Sequence, residues 1–203
     1  MSYFADVTLN KTSGTGQHAK LVIVTPTSAV SFGIQYDKAC GNAKYRGKAA
    51  FMFENVKSNA PGGQSYKWVK KAARGQSFNI KLCYNKKGYV WAYVDGTLVG
   101  GVKNTKLKNK NVTMRAEGAV RLGGEKLDAT FENIVPYWQD APQKSAHGGW
   151  AYACYYGGKY GKCGKKALKI EDIGYGVRIY GKAKFSGDWD SNFSKASSLI
   201  VVY

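Results

Sequence analysis

The stretch GQSFNIKLCYNKKGYVWAYVDGTLVGGV, residues 75–102, decides the fold because two turn signals separate three apolar runs within it. Asp95-Gly96 is typical of a type I′ hairpin turn, in which both central residues need a positive φ angle. Residues 85–88, NKKG, suit a three-residue connection that Gly88 closes in the left-handed region. The stretch therefore predicts three antiparallel strands joined by two tight turns.

These turns set the pairing of the three strands, and alternate side chains of a strand point to opposite faces of the sheet. Ile80 is expected opposite Val94, and Ala92 opposite Val99. A slip of one residue would mix the apolar and polar faces, so the register is strongly specified. The residues predicted to face the core are Phe78, Ile80, Leu82, Val90, Ala92, Val94 and Val99.

The opposite face of the same strands carries a row of aromatic rings, in which Trp91 is expected opposite Gly100. Large aromatic side chains are usually buried at least in part, so one interpretation is that a second layer or a long loop covers the row. The other is an open platform for sugar rings or bases, because an exposed apolar patch usually marks a binding site. The candidate ligand-binding residues are the rings and two polar neighbours: Trp91, Tyr93, Tyr89, Lys81 and Asn79.

The composition of the whole chain is typical of a β protein. Its 203 residues include 25 Gly and 15 Tyr but only 4 Pro, which suits strands and turns better than helices. Segments with strand patterning recur about every 8–12 residues, which is the spacing of an all-β sandwich. We expect a single β-sandwich domain over residues 1–203, and no apolar run approaches the length of a membrane span.

The net charge of +18, from 31 basic and 13 acidic residues, is the strongest compositional feature. Such a surface attracts polyanions, for example acidic glycans, teichoic acids, nucleic acid or anionic membranes. The alternative is a solvated surface that only keeps the protein soluble. Residues 103–110 are predicted to form an exposed basic loop, and its polyanion-binding candidates are Lys103, Lys106, Lys108 and Lys110.

The four cysteines allow three disulfide pairings, and the sequence does not choose among them. Cys154 and Cys163 flank a loop rich in Gly, Tyr and Lys, which makes them the disulfide candidates. The C-x₂₋₄-C spacing of a structural zinc site is absent. Asp188 and Asp190 flank Trp189, and they suit a turn first and a structural calcium ion second. No other cofactor is predicted.

The order of the predicted strands resembles the jelly-roll sandwich of the concanavalin A-like lectin and glucanase superfamily, which includes laminin-G-like domains. In such domains a Gly-led strand and a Y-V-D-G-x-x-V-G hairpin recur near the middle, and an F-(D/E)-N-(I/V) strand returns beside the first strand. The matching residues are FADVTL at 4–9, SFGIQY at 31–36, the stretch 75–100, and FENI at 131–134. The resemblance covers residues 3–135, and residues 136–203 are expected to add C-terminal strands.

Members of this superfamily bind glycans on the concave face of one sheet or on its rim loops, and some hydrolyse them. The resemblance implies that the outer face of the central hairpins lines a glycan-binding surface. The E-x-D-x-(x)-E motif of the glucanases is absent from this sequence. A glutamic peptidase class with a similar fold uses a Gln and a Glu on facing strands, which makes Gln35 and Glu132 the catalytic candidates. Those peptidases are acidic proteins, whereas this chain is basic.

Three classes of function follow from these features. The first is a secreted or cell-surface carbohydrate-binding, lectin-like module that holds acidic or cell-wall polysaccharide by aromatic stacking and Lys electrostatics. The second is a polysaccharide hydrolase or lyase, or a peptidase, on the same sandwich. The third is a protein that binds nucleic acid or another polyanion, with bases stacked on the same row. Residues 1–10 lack the regions of a signal peptide, so an intracellular location stays open.

Overall fold

The computed structural model describes residues 2–58, 63–122, 124–138, 141–142, 151–156, 159–161, 168–182 and 198–202. Their strands are β1 (Ser2–Leu9), β2 (Gly16–Val24), β3 (Ala29–Asp37), β4 (Ala49–Val56), β5 (Gln64–Lys71), β6 (Ser77–Tyr84), β7 (Tyr89–Val94), β8 (Thr97–Lys103), β9 (Thr113–Val120), β10 (Lys126–Trp138), β11 (Ala141–Pro142), β12 (Ala151–Tyr156), β13 (Lys159–Gly161), β14 (Lys169–Asp172), β15 (Gly176–Lys182) and β16 (Ser198–Val202). A short 3₁₀ turn covers Thr105–Leu107. No helix in these ranges is long and apolar enough to cross a membrane.

The strands form two antiparallel sheets. Sheet I has the strand order β14-β15-β10-β1-β6-β7-β8, with β11 paired to β10, and sheet II has the order β13-β12-β16-β9-β2-β3-β4-β5. The chain places β1 in sheet I, β2 to β5 in sheet II and β6 to β8 in sheet I, and it then crosses to sheet II for β9 and back for β10. The prediction of an all-β jelly-roll sandwich of two antiparallel sheets is confirmed.

The strands that follow residue 135 pair into both sheets. Strands β14 and β15 extend sheet I beyond β10, whereas β16, β12 and β13 extend sheet II beyond β9. The ladder between β10 and β15 runs from the pair Lys126 and Lys182 to the pair Glu132 and Gly176. Backbone hydrogen bonding therefore continues from the N-terminal strands into the C-terminal part of the chain.

The hydrophobic core lies between the sheets and takes alternate residues from each strand. In β1, partly exposed residues alternate with buried ones, so that Ala5 and Val7 lie in the core while Asp6 points outward. This period of two is what a strand with one buried face requires. The predicted core face is confirmed, because Val99 packs partly buried against the core and the other members of the set are buried: Phe78, Ile80, Leu82, Val90, Ala92 and Val94.

Both predicted turns are present and fix the central hairpins. Asp95 has φ 50° and Gly96 has φ 78°, as a type I′ turn requires. Gly88 has φ 84°, and its amide donates to the carbonyl oxygen of Asn85 at 2.9 Å. The pairing of β6 with β7 is consequently the predicted one, with Ile80 opposite Val94.

The predicted pairing of β7 with β8 is confirmed next to the turn, where Val94 lies opposite Thr97, and is wrong from Ala92 onward. The register shifts between Ala92 and Tyr93, so that Ala92 lies opposite Gly100 rather than Val99, and Trp91 lies opposite Gly101 rather than Gly100. The cause is one additional residue on β8, a β-bulge, next to a Gly100 whose φ angle is 143°. Counting residues outward from the turn cannot detect a bulge, and this one decides which glycine faces Trp91.

Candidate functional site

The outer face of sheet I carries the three rings that the sequence singles out. This aromatic row consists of Tyr89, Trp91 and Tyr93 on β7; Tyr89 is 36% exposed and the other two rings are partly exposed. The rings of Tyr89 and Trp91 are nearly parallel, at 14° between planes and 5.8 Å between centroids. The row is therefore accessible to solvent in part, rather than enclosed in the core.

Gly101 explains how the indole of Trp91 fits against the sheet. A Cβ atom at position 101 would lie 2.9 Å from Trp91 Cδ1 and 2.9 Å from the carbonyl oxygen of Val90, distances that real Cβ atoms do not adopt. The absence of a side chain on the neighbouring strand leaves the room that the ring occupies. The β8 bulge thus contributes to the site by bringing Gly101 opposite Trp91.

Two ammonium groups lie over the aromatic row. Lys103 Nζ is 4.9 Å from the centroid of the Tyr89 ring, and Lys81 Nζ is 5.9 Å from the centroid of the Tyr93 ring. Both distances are within the range of a cation–π interaction, which is strongest where water is excluded. The structure thus brings four of the five candidate ligand-binding residues together, and Asn79 lies two residues from Lys81 on the same face of β6.

One end of the row continues into a cluster of exposed lysines. The four predicted polyanion-binding lysines are exposed, and two more lie in the β6–β7 turn, which pairs with their loop through a 2.9 Å hydrogen bond from the Asn109 amide to the Lys86 carbonyl oxygen. The sequence places Lys86 and Lys87 in the turn beside Tyr89, but it does not predict that this turn contacts the loop after β8. We call this cluster the lysine end: Lys86, Lys87, Lys103, Lys106, Lys108 and Lys110.

The loop that carries Lys106, Lys108 and Lys110 is held by buried side chains. Asn104 is fully buried, and its amide nitrogen donates to the carbonyl oxygens of Ala29 at 3.4 Å and Val56 at 3.0 Å. The side chain of Leu107 lies in the core, and its carbonyl oxygen accepts a 2.6 Å hydrogen bond from the Tyr84 hydroxyl. Burial raises the pKa of that hydroxyl, so Tyr84 stays a neutral donor at physiological pH. The lysines are displayed on an anchored loop.

The other end of the row carries a carboxylate bound to two amides. Asp6 accepts hydrogen bonds from Asn79 Nδ2 and from Asn133 Nδ2, each at 2.8 Å, one at each carboxylate oxygen. The backbone amide of Asn79 donates to Asp95 Oδ1 at 2.9 Å, beside the type I′ turn. We call Asp6, Asn79 and Asn133 the amide end. Asn133 belongs to the FENI motif and has φ 50°, a left-handed conformation that Asn tolerates better than most residues.

The outer face of sheet II carries a buried ionic network that the sequence did not reveal. His18 Nε2 lies 2.9 Å from Glu117 Oε1, and Lys20 Nζ lies 3.0 Å from Glu54 Oε2. Lys20 is 1% exposed, and it lies opposite Glu117 on the neighbouring strand. Taking charges out of water costs several kcal/mol each unless partners replace the lost hydration. Such networks are enriched at functional sites, although structural ion pairs also form them.

The protonation states of this network follow from burial and from its internal contacts. Burial lowers the pKa of His18, and the neighbouring charge of Lys20 lowers it further. Burial alone would raise the pKa of Glu117, but the hydrogen bond from His18 and the nearby cations outweigh it, and the pKa is lowered. A neutral His18 therefore donates its Nε2 proton to an ionised Glu117. Glu54 Oε1 is buried and has no hydrogen-bond partner among the described residues.

The two catalytic candidates of the peptidase interpretation do not meet. Gln35 lies on β3 of sheet II between core residues Ile34 and Tyr36, so its side chain points to the outer face of that sheet. Glu132 follows the core residue Phe131 on β10 of sheet I and points to the outer face there. The whole sandwich separates the two side chains. Gln35 instead lies opposite His18 on β2, beside the ionic network.

The remaining candidates fall outside what the structure describes. Cys163, Asp188 and Asp190 are not among the described residues, and of Cys154 only the backbone is described, opposite Gly161 in the β12–β13 pair. The disulfide and the calcium site therefore stay predictions. Within the described ranges, no group of three or more His, Cys, Asp or Glu side chains is placed to hold a metal ion.

No protein-family model matches this chain, and no curated protein matches it. One solved structure that it resembles is an immunostimulatory antigen and pseudo beta-1,3-glucanase of Mycobacterium tuberculosis, with a TM-score of 0.32, 11% identity, and coverage of 98% of this chain and 60% of that one. Another is the catalytic domain of beta-agarase D from Zobellia galactanivorans, with a TM-score of 0.31, 13% identity, and coverage of 98% and 54%. The chain thus spans less than two-thirds of either protein. Because these likenesses are distant, the architecture rests on the strand pairing described above.

Proposed function

We propose that this protein is a carbohydrate-binding module that holds an acidic polysaccharide on the outer face of sheet I. The observation that carries the proposal is the accessible aromatic row with an ammonium group over each of its outer rings. Aromatic rings stack on the apolar faces of sugars, and lysines attract carboxylate or sulfate groups. A ligand of this kind belongs to the cell wall or the extracellular matrix, so we propose a secreted or cell-surface location.

Charge complementarity favours an acidic polysaccharide over a neutral one. The lysine end places Lys103 Nζ 4.9 Å from the Tyr89 ring and five more exposed lysines on the adjoining turn and loop. The segments 84–90 and 102–112 that form this end contain no Asp or Glu. Lys rather than Arg makes up this end, and Lys binds anions as a point charge without the bidentate geometry that phosphate recognition favours. This end therefore suits a polyanion that is held by diffuse electrostatics, and the aromatic row favours sugar rings as the other part of that polyanion.

The direct test compares Trp91→Ala with Trp68→Ala, which is the same chemical change on a different face. Stacking of one base on an aromatic side chain contributes about 1–3 kcal/mol. If a sugar face gains a comparable amount, Trp91→Ala should weaken binding of an acidic polysaccharide about tenfold or more. Trp68 stacks on Tyr45 at 5.4 Å beside sheet II, so its removal should lower the melting temperature and leave the affinity unchanged. Titration calorimetry and thermal melts of both variants measure these effects.

The probes are a heparin-like polysaccharide, a polyuronate, a neutral glucan and single-stranded DNA, each at low and high salt. We expect the acidic polysaccharides to bind best and to lose affinity as salt screens the lysines. A Trp91→Ala variant that loses stability but keeps its affinity would show that the ring is structural, and the proposal would be abandoned. Preferential binding of DNA would instead assign the row to base stacking.

A second candidate function, a polysaccharide lyase, is favoured by the ionic network of sheet II. The pair of neutral His18 and ionised Glu117 can accept a proton, and Lys20 is a cation that can pair with the carboxylate of a uronic acid. In the elimination, the C5–H bond and the C4–O glycosidic bond break, a C4=C5 double bond forms, and the leaving oxygen takes up a proton. In a two-carboxylate hydrolase the ionised Glu117 could serve only as the base or nucleophile, and a second carboxyl group would have to stay protonated as the acid.

Lyase activity can be measured separately from binding, through the absorbance of its product. The unsaturated product absorbs in the near ultraviolet, so incubation of the protein with a polyuronate should raise the absorbance with time. His18→Asn should abolish the increase, whereas Trp68→Ala should leave it detectable. Because the network is buried, turnover requires that the outer face of sheet II open to the polymer. Binding at the aromatic row without any such absorbance change would leave the module non-catalytic.

A further inference from the structure

The amide end holds two side-chain amides in one orientation. A carboxylate has only acceptor atoms, so each Asn that contacts Asp6 must turn its NH₂ group toward it. Asn79 and Asn133 both do so, at 2.8 Å. Their carbonyl oxygens therefore point away from Asp6, on an exposed part of the sheet I face. A carboxylate that fixes two exposed amides is an arrangement suited to hydrogen bonding with hydroxyl groups.

The amide end lies at the opposite end of the aromatic row from the lysine end. On β6, Asn79 is two residues from Lys81, and Lys81 lies opposite Tyr93. The row from Tyr89 to Tyr93 spans about 14 Å at the rise of a β-strand. Asn79 is on the strand next to β7, whereas Asp6 and Asn133 are on β1 and β10, two and three strands from β7. A sugar chain laid along the row would therefore meet the lysines at Tyr89 and, beyond Tyr93, would reach the fixed amides by turning across β6 toward β1.

The two ends differ in charge as well as in hydrogen bonding. The lysine end carries six ammonium groups, whereas the amide end has Asp6 at its centre with Asp95 and Glu132 beside it on the same face. Lys81 still attracts an acidic unit at Tyr93, but it lies opposite Phe4, two residues from Asp6 on β1. Like charges placed close together are unfavourable, so an acidic sugar that reached Asp6 itself would be repelled. A neutral sugar, whose hydroxyls both donate and accept, suits that end.

We propose that the ligand is a heteropolysaccharide in which acidic and neutral sugars alternate, with an acidic unit at the lysine end and a neutral unit at the amide end. This inference rests on the proposed function, since it assumes that sugars stack on the aromatic row. Asp6 acts in it as a positioning residue, because it fixes Asn79 and Asn133 and repels a second acidic unit. The ligand consequently binds in one direction along β7.

The test uses three oligosaccharides of equal length: one of alternating uronic acid and neutral hexose, one of uronic acid only, and one neutral. We expect the alternating ligand to bind best. Asp6→Ala should lower its affinity about tenfold, because two fixed amides are lost, while the affinity for the oligouronate should stay the same or rise. Asn79→Ala, and Asn133→Gly, which keeps the positive φ angle, should act in the same direction by smaller factors.

Thr8→Ala is the matched control, because Thr8 lies on the same face of β1 two residues from Asp6 and pairs with Ser77. It should change neither affinity nor preference. A wild-type protein that prefers the oligouronate, or an Asp6→Ala variant that loses affinity for all three ligands equally, would overturn the inference. If Trp91→Ala weakens binding but the Asp6 and Asn variants do not, this inference fails alone. If Trp91→Ala has no effect, the proposed function fails first.

Discussion

At the scale of single residues, the candidate site depends on a glycine that leaves room for one of its rings. Gly101→Ala should reduce affinity for acidic polysaccharide nearly as much as Trp91→Ala does, because the new Cβ would lie 2.9 Å from Trp91 Cδ1 and displace the indole. The same Cβ would lie 2.9 Å from the Val90 carbonyl oxygen, so we also expect a stability loss of about 1–3 kcal/mol. Gly41→Ala is the control, since nothing lies within 4 Å of a Cβ there. Unchanged affinity in Gly101→Ala would contradict this account of how Trp91 is positioned.

The pair of Lys20 and Glu54 should show the asymmetry of a buried ion pair. Lys20→Met or Glu54→Leu alone leaves an uncompensated charge in surroundings where these side chains are 1% and 4% exposed, and each should cost about 3–5 kcal/mol in the free energy of unfolding. The double variant should recover much of that loss, because neither charge is left buried. Urea denaturation of the four proteins measures the coupling. Additive losses would show that the two groups do not depend on each other.

At the scale of elements, turns were predictable from the sequence and the bulge was not. Asp95-Gly96 and Gly88 predict their turns because few residue types adopt positive φ angles readily, and Gly, Asn and Asp are the main ones that do. The bulge at Val99 leaves no such mark, since either of two consecutive glycines could lie opposite Trp91. His18 and Lys20 alternate with the core residues Ala19 and Leu21 as they would on a solvated face, so their pattern could not reveal that they are buried. The network requires partners on β4 and β9, which are distant in sequence.

In the loop between β8 and β9, exposed lysines carry the charge and buried residues hold the loop in place. Variants of the two sets should therefore affect binding and stability separately. Lys106→Glu with Lys108→Glu should weaken polyanion binding and flatten its salt dependence, while stability changes by less than about 0.5 kcal/mol because both side chains are exposed. Asn104→Ala should instead lower the melting temperature, because it removes the side-chain hydrogen bonds to the carbonyl oxygens of Ala29 and Val56. It leaves the charges of the loop unchanged. Binding at two salt concentrations and thermal melts test both variants. Identical salt dependence in the charge-reversed and wild-type proteins would exclude a role for these lysines.

At the scale of the whole molecule, the two outer faces have opposite characters. Sheet I presents its rings and lysines to solvent, whereas β2, β3 and β4 of sheet II are buried along nearly their whole length on both faces. Under the proposed carbohydrate-binding function, ligand contacts belong to sheet I, and the ionic network of sheet II bears first on stability. Variants of the network should change unfolding without changing affinity at the aromatic row, because the core of the sandwich lies between the two surfaces.

The stability of the molecule should fall on the acid side because of this network. The pKa of His18 in the fold is below its ordinary value of 6.5, so the unfolded chain takes up a proton that the folded chain does not. The resulting stability is fully present above pH 6.5 and is lost as the pH falls toward the lowered value. Glu117 acts in the same direction at lower pH, since its pKa lies below 4.5 in the fold and an ionised carboxylate is what the native state requires. Urea unfolding between pH 8 and pH 3 should show His18→Gln losing the first of these two steps and keeping the second. A His18→Gln protein whose stability falls with pH as steeply as that of the wild type would show that another group carries the acid sensitivity.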